Sequence, residues 1–206
     1  MDPKSGGSRI SGRGPDSSRP SYSQRAMAVL GRGEAAWVRG AQAGSVSDLE
    51  ALFRAHWPRA HRAAYLVVQD AAAAEDIAQE AFLAAIRALD RFDRRRPFGP
   101  WLHRIVVNRA IDWARARALR AELGGEALAD KEAPAATGGF PLSEPLAAAL
   151  ASLSPEHRAV IVLRHLLEYT PGEIAELLEL PRGTVNSRLR RGLDLLRDEL
   201  PEDEDD

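Results

Sequence analysis

The sequence predicts an all-α fold of two small helical domains joined by a flexible linker, and three observations lead to it. Aromatic residues make up only 6% of the chain, whereas alanine and leucine abound, which favours helices over sheet. Apolar residues recur at helical spacing in two stretches, residues 46–120 and 143–200. Between them lies "GGEALADKEAPAATGGFP" (124–141), whose glycine, proline and alanine content is typical of a linker.

The first stretch is predicted to form three helices. Ser47 or Asp48 can cap the first helix, and Pro58 is expected to restart it, because proline removes a backbone hydrogen bond inside a helix. Asp70 opens the second helix, and the segment "DRRRPFGP" ends it. A third helix is expected from about residue 101 to residue 120.

The second stretch carries clear helix-start signals. Ser154 precedes a first-turn proline and an acid, and Thr170 with Glu173 makes a capping box. A tight turn over residues 179–182 leads to a basic helix from Gly183. The inward residues of that helix are expected at helical spacing: Val185, Leu189, Leu193 and Leu196. Two short helices joined by a tight turn, the second of them basic, predict a helix-turn-helix.

One residue of that turn departs from the usual pattern. Many such turns have a glycine where Glu179 stands, because the backbone there takes φ > 0. A residue other than glycine costs about 1 kcal/mol in that conformation, which the fold can tolerate.

Both ends of the chain are expected to be unstructured. Residues 1–45 begin with a segment rich in Gly, Ser, Pro and Arg that has almost nothing to bury, which predicts a disordered tail. Residues 201–206, "PEDEDD", form a short acidic tail.

The net charge of −2 hides a strong segregation of charge. The net charges of successive segments are +4 for residues 1–45, +4 for 46–120, −4 for 121–145, −1 for 146–200 and −5 for the tail. Two basic patches separated by an acidic connector are typical of a protein that binds nucleic acid.

Other classes of function find little support in the sequence. There is no cysteine, which excludes a disulfide framework and fits a reducing cytosol. The histidines, at positions 56, 61, 103, 157 and 165, lack metal-ligand spacing. No glycine-rich phosphate loop follows a strand, and no apolar run approaches the length of a membrane span. We therefore expect no enzyme activity, no cofactor, no metal site and no membrane insertion.

The start of the basic helix holds the candidate DNA contacts. Its polar residues there can hydrogen-bond phosphates and base edges: Thr184, Asn186, Ser187, Arg188 and Arg191. An ordinary helical hairpin with a solvated basic face would produce the same local pattern.

Longer motifs help to decide between a DNA-binding domain and an ordinary helical hairpin. "AEDIAQEAFLAAIRALDRF" followed by "PWLHRIVVNRAIDWARAR" resembles region 2 of bacterial RNA polymerase sigma factors, and the 46 residues that start at Ser152 resemble their region 4. With these two regions and a short linker, the chain is similar to the extracytoplasmic-function (ECF) group of the sigma-70 family. The resemblance implies a cytoplasmic factor with region 2 at 46–120, a linker at 121–142 and region 4 at 143–200. The alternative is a stand-alone helix-turn-helix regulator.

The resemblance assigns a polymerase-binding face. Asp76, Gln79 and Glu80 correspond to family residues that contact core RNA polymerase, through its β and β′ subunits, and Phe82 is expected in the core. Periodicity alone favours a solvated amphipathic helix here, and the resemblance favours the polymerase-binding role instead.

The resemblance also assigns contacts to the promoter −10 element. The loop after the second helix would trap a flipped base, with Arg94, Arg95 and Arg96 attracting phosphates and Phe98 either stacking on the base or packing in the core. The third helix would lie along the −10 DNA with these polar positions: Arg104, Asn108, Arg109, Asp112 and Arg115. Trp101 and Trp113 are expected in the core.

Region 4 would read the −35 element. Asn186, Ser187, Arg188 and Arg191 match the family positions that enter the major groove, and the family often has Lys or Arg where Asn186 stands. The acidic connector would either thread toward the RNA exit path of the polymerase or serve as a flexible tether. The resemblance further implies restraint by an anti-sigma factor.

Overall fold

The structure, a computed structural model, describes residues 31–123 and 142–200. Within these residues there are helices and connecting turns but no strand, which confirms the all-α class. The helices are α1 Gly31–Gln42, α2 Val46–Val68, α3 Ala71–Ala88, a 3-10 turn Leu89–Arg91, α4 Phe98–Glu122, α5 Glu144–Ser152, α6 Pro155–Ile161, a π-helical turn Val162–Leu166, α7 Pro171–Leu178 and α8 Arg182–Glu199.

Helices α1–α4 form the first bundle, with α2 packed against the other three. Ser45 caps α2 by accepting the Asp48 N–H at 3.3 Å, so the cap lies two residues before Ser47 and three before Asp48, the predicted caps. Asp70 caps α3 as predicted. The prediction that Pro58 restarts the helix is wrong, since α2 runs through it. Pro58 is tolerated because it and Arg54, whose carbonyl loses its donor, both lie on the exposed face, where water can replace the bond.

The predicted disordered tail is wrong for residues 31–45, while residues 1–30 lie outside the described residues. Helix α1 occupies 31–42 and buries Val38, which is 2% exposed, against the core. Three glycines make "GRGEAAWVRGAQ" a poor helix by propensity, so packing on α2 supplies the stability.

Helices α5–α8 form the second bundle. The caps at Ser154 and Thr170 are present, and Thr170 and Glu173 make the reciprocal capping box. Glu179 ends α7 in the left-handed region at φ 54°, as predicted for this turn. Helix α8 starts at Arg182, one residue before the predicted start. The predicted flexible linker lies almost wholly outside the described residues, as does the acidic tail.

The two bundles pack against each other through buried polar contacts. Arg158 of α6 donates to the carbonyl oxygen of Val67 in α2 at 2.7 Å, and to those of Ala151 at 3.2 Å and Leu153 at 2.8 Å. Its guanidinium therefore lies where the C-terminal ends of α2 and α5 meet, a favourable place for a cation. Burial lowers the pKa of Arg158 to about 10, so the group stays charged at neutral pH.

A second buried contact joins α4 to the loop before α7. The Nδ1 atom of His103 lies 2.8 Å from the Tyr169 hydroxyl oxygen, within hydrogen-bonding distance. His103 and Tyr169 are 0% and 1% exposed. Burial, together with the charges of His56 and Arg59, lowers the pKa of His103 to about 3. The packed arrangement therefore requires a neutral His103.

We expect the protein to lose stability on mild acidification because of His103. The unfolded chain takes up a proton at the ordinary pKa of 6.5, whereas the folded protein resists protonation down to about 3. The contribution is complete above pH 6.5 and is lost as pH falls toward 3. Between about pH 7.5 and 5.5 the free energy of unfolding should fall by about 1 kcal/mol, measured by urea denaturation.

The control is His103→Gln, which retains a hydrogen-bonding group for Tyr169 without a titrating ring. Its unfolding free energy should change less over the same pH range. Burial also lowers the pKa values of His157 and His165, and both residues remain in the control. Identical pH profiles for the two proteins would show that His103 does not carry the effect.

Candidate nucleic-acid interface and polymerase-binding face

The predicted polymerase-binding residues share one exposed face of α3. Asp76, Gln79 and Glu80 are all exposed. They lie together because residues three and four positions apart are neighbours on a helix surface. Phe82 points the other way and is 4% exposed, as expected for a core residue. The α3 face thus presents two carboxylates and an amide to solvent.

An apolar patch that sequence reasoning missed continues this face. Leu83, seven residues after Asp76, is 50% exposed, and Ile86 is 39% exposed. Across from them on α2, Phe53 and Val46 are 40% and 78% exposed. Ile86, Phe53 and Val46 line, with their neighbours, an apolar groove of about 270 Å³, whereas Leu83 is not part of its lining. The seven-residue spacing from Asp76 to Leu83 was the available sequence signal, since it puts both residues on one side of the helix.

The loop between the 3-10 turn and α4 presents three arginines. Arg94, Arg95 and Arg96 are exposed, and none makes an ion pair with another described residue. Asp93 organises the loop, because its Oδ1 accepts the Arg95 N–H at 3.0 Å and its carbonyl accepts the Arg96 N–H at 2.9 Å. We call residues 93–97 the arginine loop. Its free cations suit phosphate binding.

Phe98 packs in the core, so of the two predicted roles the stacking role is wrong in this conformation. Its side chain is 3% exposed and lies among three rings, with centroid distances of 5.2 Å to His56, 5.9 Å to Phe92 and 5.6 Å to Trp101. A base could not stack on it without displacing these neighbours. Trp101 and Trp113 are half-buried against the core, so they fit the predicted core role in part.

The arginines predicted on α4 are already paired with acids. The pairs are Arg104 with Glu179, Arg109 with Glu80 at 2.7 Å, Arg115 with Glu156 at 2.5 Å, and the neighbouring Arg117 with Asp70 at 2.8 Å. Asn108 is half-buried beside them, and Asp112 is exposed, 3.9 Å from Arg115. Glu156 and Glu179 belong to the second bundle, so two candidate −10 contacts are held by the other domain.

These pairs are weak enough to be exchanged. The Arg104 and Glu179 side chains are 43% and 69% exposed, and Arg109 and Glu80 are 41% and 64% exposed. Pairs exposed to this degree contribute about 0–1 kcal/mol each. Glu156 is less exposed. Burial raises its pKa, but the hydrogen bond and charge of Arg115, the backbone N–H of Glu156 and the Ser154 hydroxyl together outweigh burial and lower the pKa. Phosphate groups can therefore replace Glu179 and Glu80 at little cost, because both pairs are exposed.

The predicted −35 contacts lie along the N-terminal half of α8. Asn186 and Arg191 are exposed, and Thr184, Ser187 and Arg188 are half-buried. The Ser187 hydroxyl donates to the carbonyl of Thr184 at 2.9 Å, which leaves it only as an acceptor for a base. The inward residues are as predicted, except that Leu193 is only half-buried: Val185, Leu189 and Leu196 are 0%, 8% and 8% exposed.

The structure contains neither a metal-binding cluster nor a membrane span within residues 31–123 and 142–200. No group of three or more His, Asp or Glu side chains there could hold a metal ion. None of the helices in that part of the chain is long and apolar enough to cross a membrane.

Comparisons with known proteins match both bundles. Residues 52–120 match the family model for sigma-70 region 2, and residues 143–196 match that for sigma-70 region 4. The chain is 39% identical over 140 residues to the ECF RNA polymerase sigma factor SigW of Bacillus subtilis, covering 62% of this chain and 75% of SigW. It is 34% identical over 166 residues to the RNA polymerase sigma factor CarQ of Myxococcus xanthus, covering 77% of this chain and 92% of CarQ.

A solved structure shares the fold. CnrH, in complex with the cytosolic domain of CnrY, superposes with a TM-score of 0.62 at 28% identity, covering 83% of this chain and 99% of CnrH. Two family regions in the same order, together with relatives matched over most of their length, leave one assignment: this chain belongs to the sigma-70 family of RNA polymerase sigma factors, in the ECF group.

Proposed function

We propose that this protein recruits core RNA polymerase through α3, recognises the −10 element through α4 and the arginine loop, and recognises the −35 element through α8. It is a non-enzymatic initiation factor that helps to open promoter DNA. The observation that carries the assignment is the presence of two basic surfaces, one in each bundle, on domains that match regions 2 and 4 in order. A factor with this role acts in the cytoplasm.

The α3 face supports the polymerase assignment. It combines the exposed polar group of Asp76, Gln79 and Glu80 with Leu83 and Ile86 at its end. Interfaces of lasting complexes have an apolar centre with a polar rim, and this face offers both. We therefore add Leu83 and Ile86 to the proposed polymerase contacts.

The paired arginines of α4 support weak DNA binding by the free protein. Arg104 and Arg115 contact acids of the second bundle, so a −10 duplex has to displace Glu179 and Glu156 before it meets them. The exposed pairs give way easily, but the contacts of Arg158 and His103 that join the bundles are buried. Separating the bundles is therefore the costly step, and polymerase binding is the event that we infer drives it.

A protein partner that restrains the factor is part of the proposal. CnrH was solved with the cytosolic domain of CnrY bound, and this chain matches nearly all of CnrH at 28% identity. We infer an anti-sigma factor that binds this chain and keeps its two bundles together.

The deciding experiment is reconstitution with core RNA polymerase. The full-length protein should direct transcription from a set of promoters only when core enzyme is present, and should bind the same DNA weakly alone. A stand-alone helix-turn-helix regulator would instead bind duplex DNA tightly without polymerase, and that result would overturn the proposal.

Changing the α3 face should uncouple the protein from polymerase. Replacing Asp76, Gln79 and Glu80 together with alanine should weaken core binding by about tenfold or more while the fold is kept, because exposed substitutions usually change stability by less than about 0.5 kcal/mol each. Glu80→Ala also frees Arg109, so Arg109→Ala alone is the control for loss of that ion pair. Affinity for core enzyme is measured by fluorescence anisotropy. Unchanged affinity with an unchanged circular dichroism spectrum would contradict the α3 assignment.

A further inference from the structure

Helix α1 contacts both ends of the arginine loop, although it lies outside the residues that match the family regions. The region 2 match begins at residue 52, whereas α1 spans Gly31–Gln42. Two polar side chains of α1, Glu34 near its start and Gln42 at its end, reach the segments before and after the loop. These residues are eight positions apart, which corresponds to about 12 Å along a helix.

Glu34 caps α4 from another helix. The residue before α4 is Pro97, whose side chain cannot accept a hydrogen bond, so the first N–H groups of α4 need a partner from elsewhere. The Phe98 N–H donates to Oε1 of Glu34 at 2.5 Å. A carboxylate at a helix N-terminus also interacts favourably with the helix dipole.

Glu34 stays charged although its side chain is buried. It is 6% exposed, and its Oε2 lies 3.5 Å from Nε2 of His56 in α2. Burial alone raises the pKa of Glu34, but His56 and the N–H groups of Phe98 and Gly99 outweigh it and lower the pKa below its ordinary value. A buried carboxylate is kept ionised only by such partners, so the cap depends on this geometry.

Gln42 holds the other end of the loop. Its Nε2 donates to the carbonyl oxygens of Leu89 at 2.8 Å and Phe92 at 3.1 Å. These carbonyls belong to the 3-10 turn that ends α3 and to the residue that follows it. Because Phe92 directly precedes Asp93, the bond fixes the point at which the arginine loop begins.

We propose that α1 brackets the arginine loop, with Glu34 and Gln42 as positioning residues for −10 recognition. Five residues are held between two anchors on one helix, and the turn at Asp93 then sets the direction of Arg94, Arg95 and Arg96. The inference rests on the proposed function of the loop in binding the −10 element. Correct placement matters because cations must meet phosphates and base edges at fixed distances.

The test compares Glu34→Ala, Glu34→Gln and Gln42→Ala in the full-length protein, with Val38→Ala as the matched control. Val38 lies on the same helix and is 2% exposed, so its truncation loosens α1 without removing either anchor. The probe is a promoter fragment selected with the wild-type holoenzyme, used intact and with the −10 or the −35 element scrambled. Hydrogen exchange of the amides over 93–99 is measured in the free protein.

Glu34→Ala should speed amide exchange at Phe98 and Gly99 by about tenfold. It should lower the −10-dependent affinity of the holoenzyme by about five- to tenfold, while core affinity and −35-dependent affinity stay within about twofold. Glu34→Gln should recover part of the loss, since its amide oxygen still accepts a hydrogen bond. Gln42→Ala should act in the same direction, with faster exchange at the start of the loop.

Two results would overturn the bracket. One is a −10-dependent affinity that stays unchanged in both Glu34→Ala and Gln42→Ala. The other is an equal loss of −10-dependent affinity in Val38→Ala at a matched drop in melting temperature, which would mean that α1 only stabilises the bundle in general. Replacing Arg94, Arg95 and Arg96 with alanine tests the role of the loop in DNA binding separately from its anchoring by α1. If that variant still binds −10 DNA normally, the proposed function of the loop fails, whereas the exchange rates in the free protein still report on the anchors.

Discussion

Replacing Arg158 with alanine is expected to lower the free energy of unfolding by about 3–5 kcal/mol, because it leaves buried carbonyl groups without donors and opens a cavity. The guanidinium donates to the carbonyls of Val67, Ala151 and Leu153, and the residue is only 8% exposed. The Val67 bond crosses between the two bundles, so the variant should also weaken their association. Urea denaturation followed by circular dichroism measures the loss.

The matched control is Arg197→Ala. Arg197 is also an arginine on a helix of the second bundle, but its side chain is 74% exposed and, among residues 31–123 and 142–200, pairs only with Asp194 at 3.1 Å. Its loss should cost less than about 0.5 kcal/mol. A cost below about 1 kcal/mol for Arg158→Ala would mean that the carbonyls find other partners and that Arg158 does not join the bundles.

Truncating Arg188 should have the largest effect on −35 recognition. A side chain that reads guanine with two hydrogen bonds costs about 1–3 kcal/mol on removal, and its loss relaxes the preference at a single base pair. Arg188 lies in the first half of α8, where a recognition helix meets base edges, and the Ser187 hydroxyl beside it is already bonded to Thr184. We therefore assign base reading to Arg188 before Ser187.

Arg191 should behave differently, because we assign it to a phosphate. Arg191→Ala should weaken binding to all sequences about equally. It should also reduce the slope of log binding constant against log salt concentration by about one unit. The measurement is promoter binding by the holoenzyme, across salt concentration and single-base variants of the −35 element, with Arg197→Ala as control. Full binding by Arg188→Ala and Arg191→Ala, combined with loss of binding by Arg197→Ala, would mean that α8 docks the other way round.

Features decided by neighbouring residues were predictable from the sequence. The capping box of Thr170 and Glu173, the cap at Asp70 and the left-handed Glu179 each depend on a few adjacent positions, and the structure has all three. The Pro58 prediction failed because local propensity was outweighed by packing along the whole of α2. Helix α1 was missed for the same reason.

Features that depend on distant residues were not predictable from one sequence. Arg104 and Glu179 are 75 residues apart, and Glu34 and Phe98 are 64 apart. Periodicity places Phe98 near an apolar face, but it does not decide whether the ring packs in the core or stacks on a DNA base. The apolar groove lined by Ile86 and Phe53 likewise depends on the relative placement of α2 and α3.

Glu179 affects both the backbone strain within the second bundle and a contact with the first bundle. Its backbone adopts a conformation that glycine accepts more readily, and its side chain contacts Arg104 across the boundary between the bundles. Evolution toward a more stable helix-turn-helix would favour glycine there and would remove that contact in the same step. A single substitution can thus remove about 1 kcal/mol of backbone strain from the helix-turn-helix at the loss of one weak, exposed ion pair between the bundles. The buried contacts of Arg158 and His103 would remain.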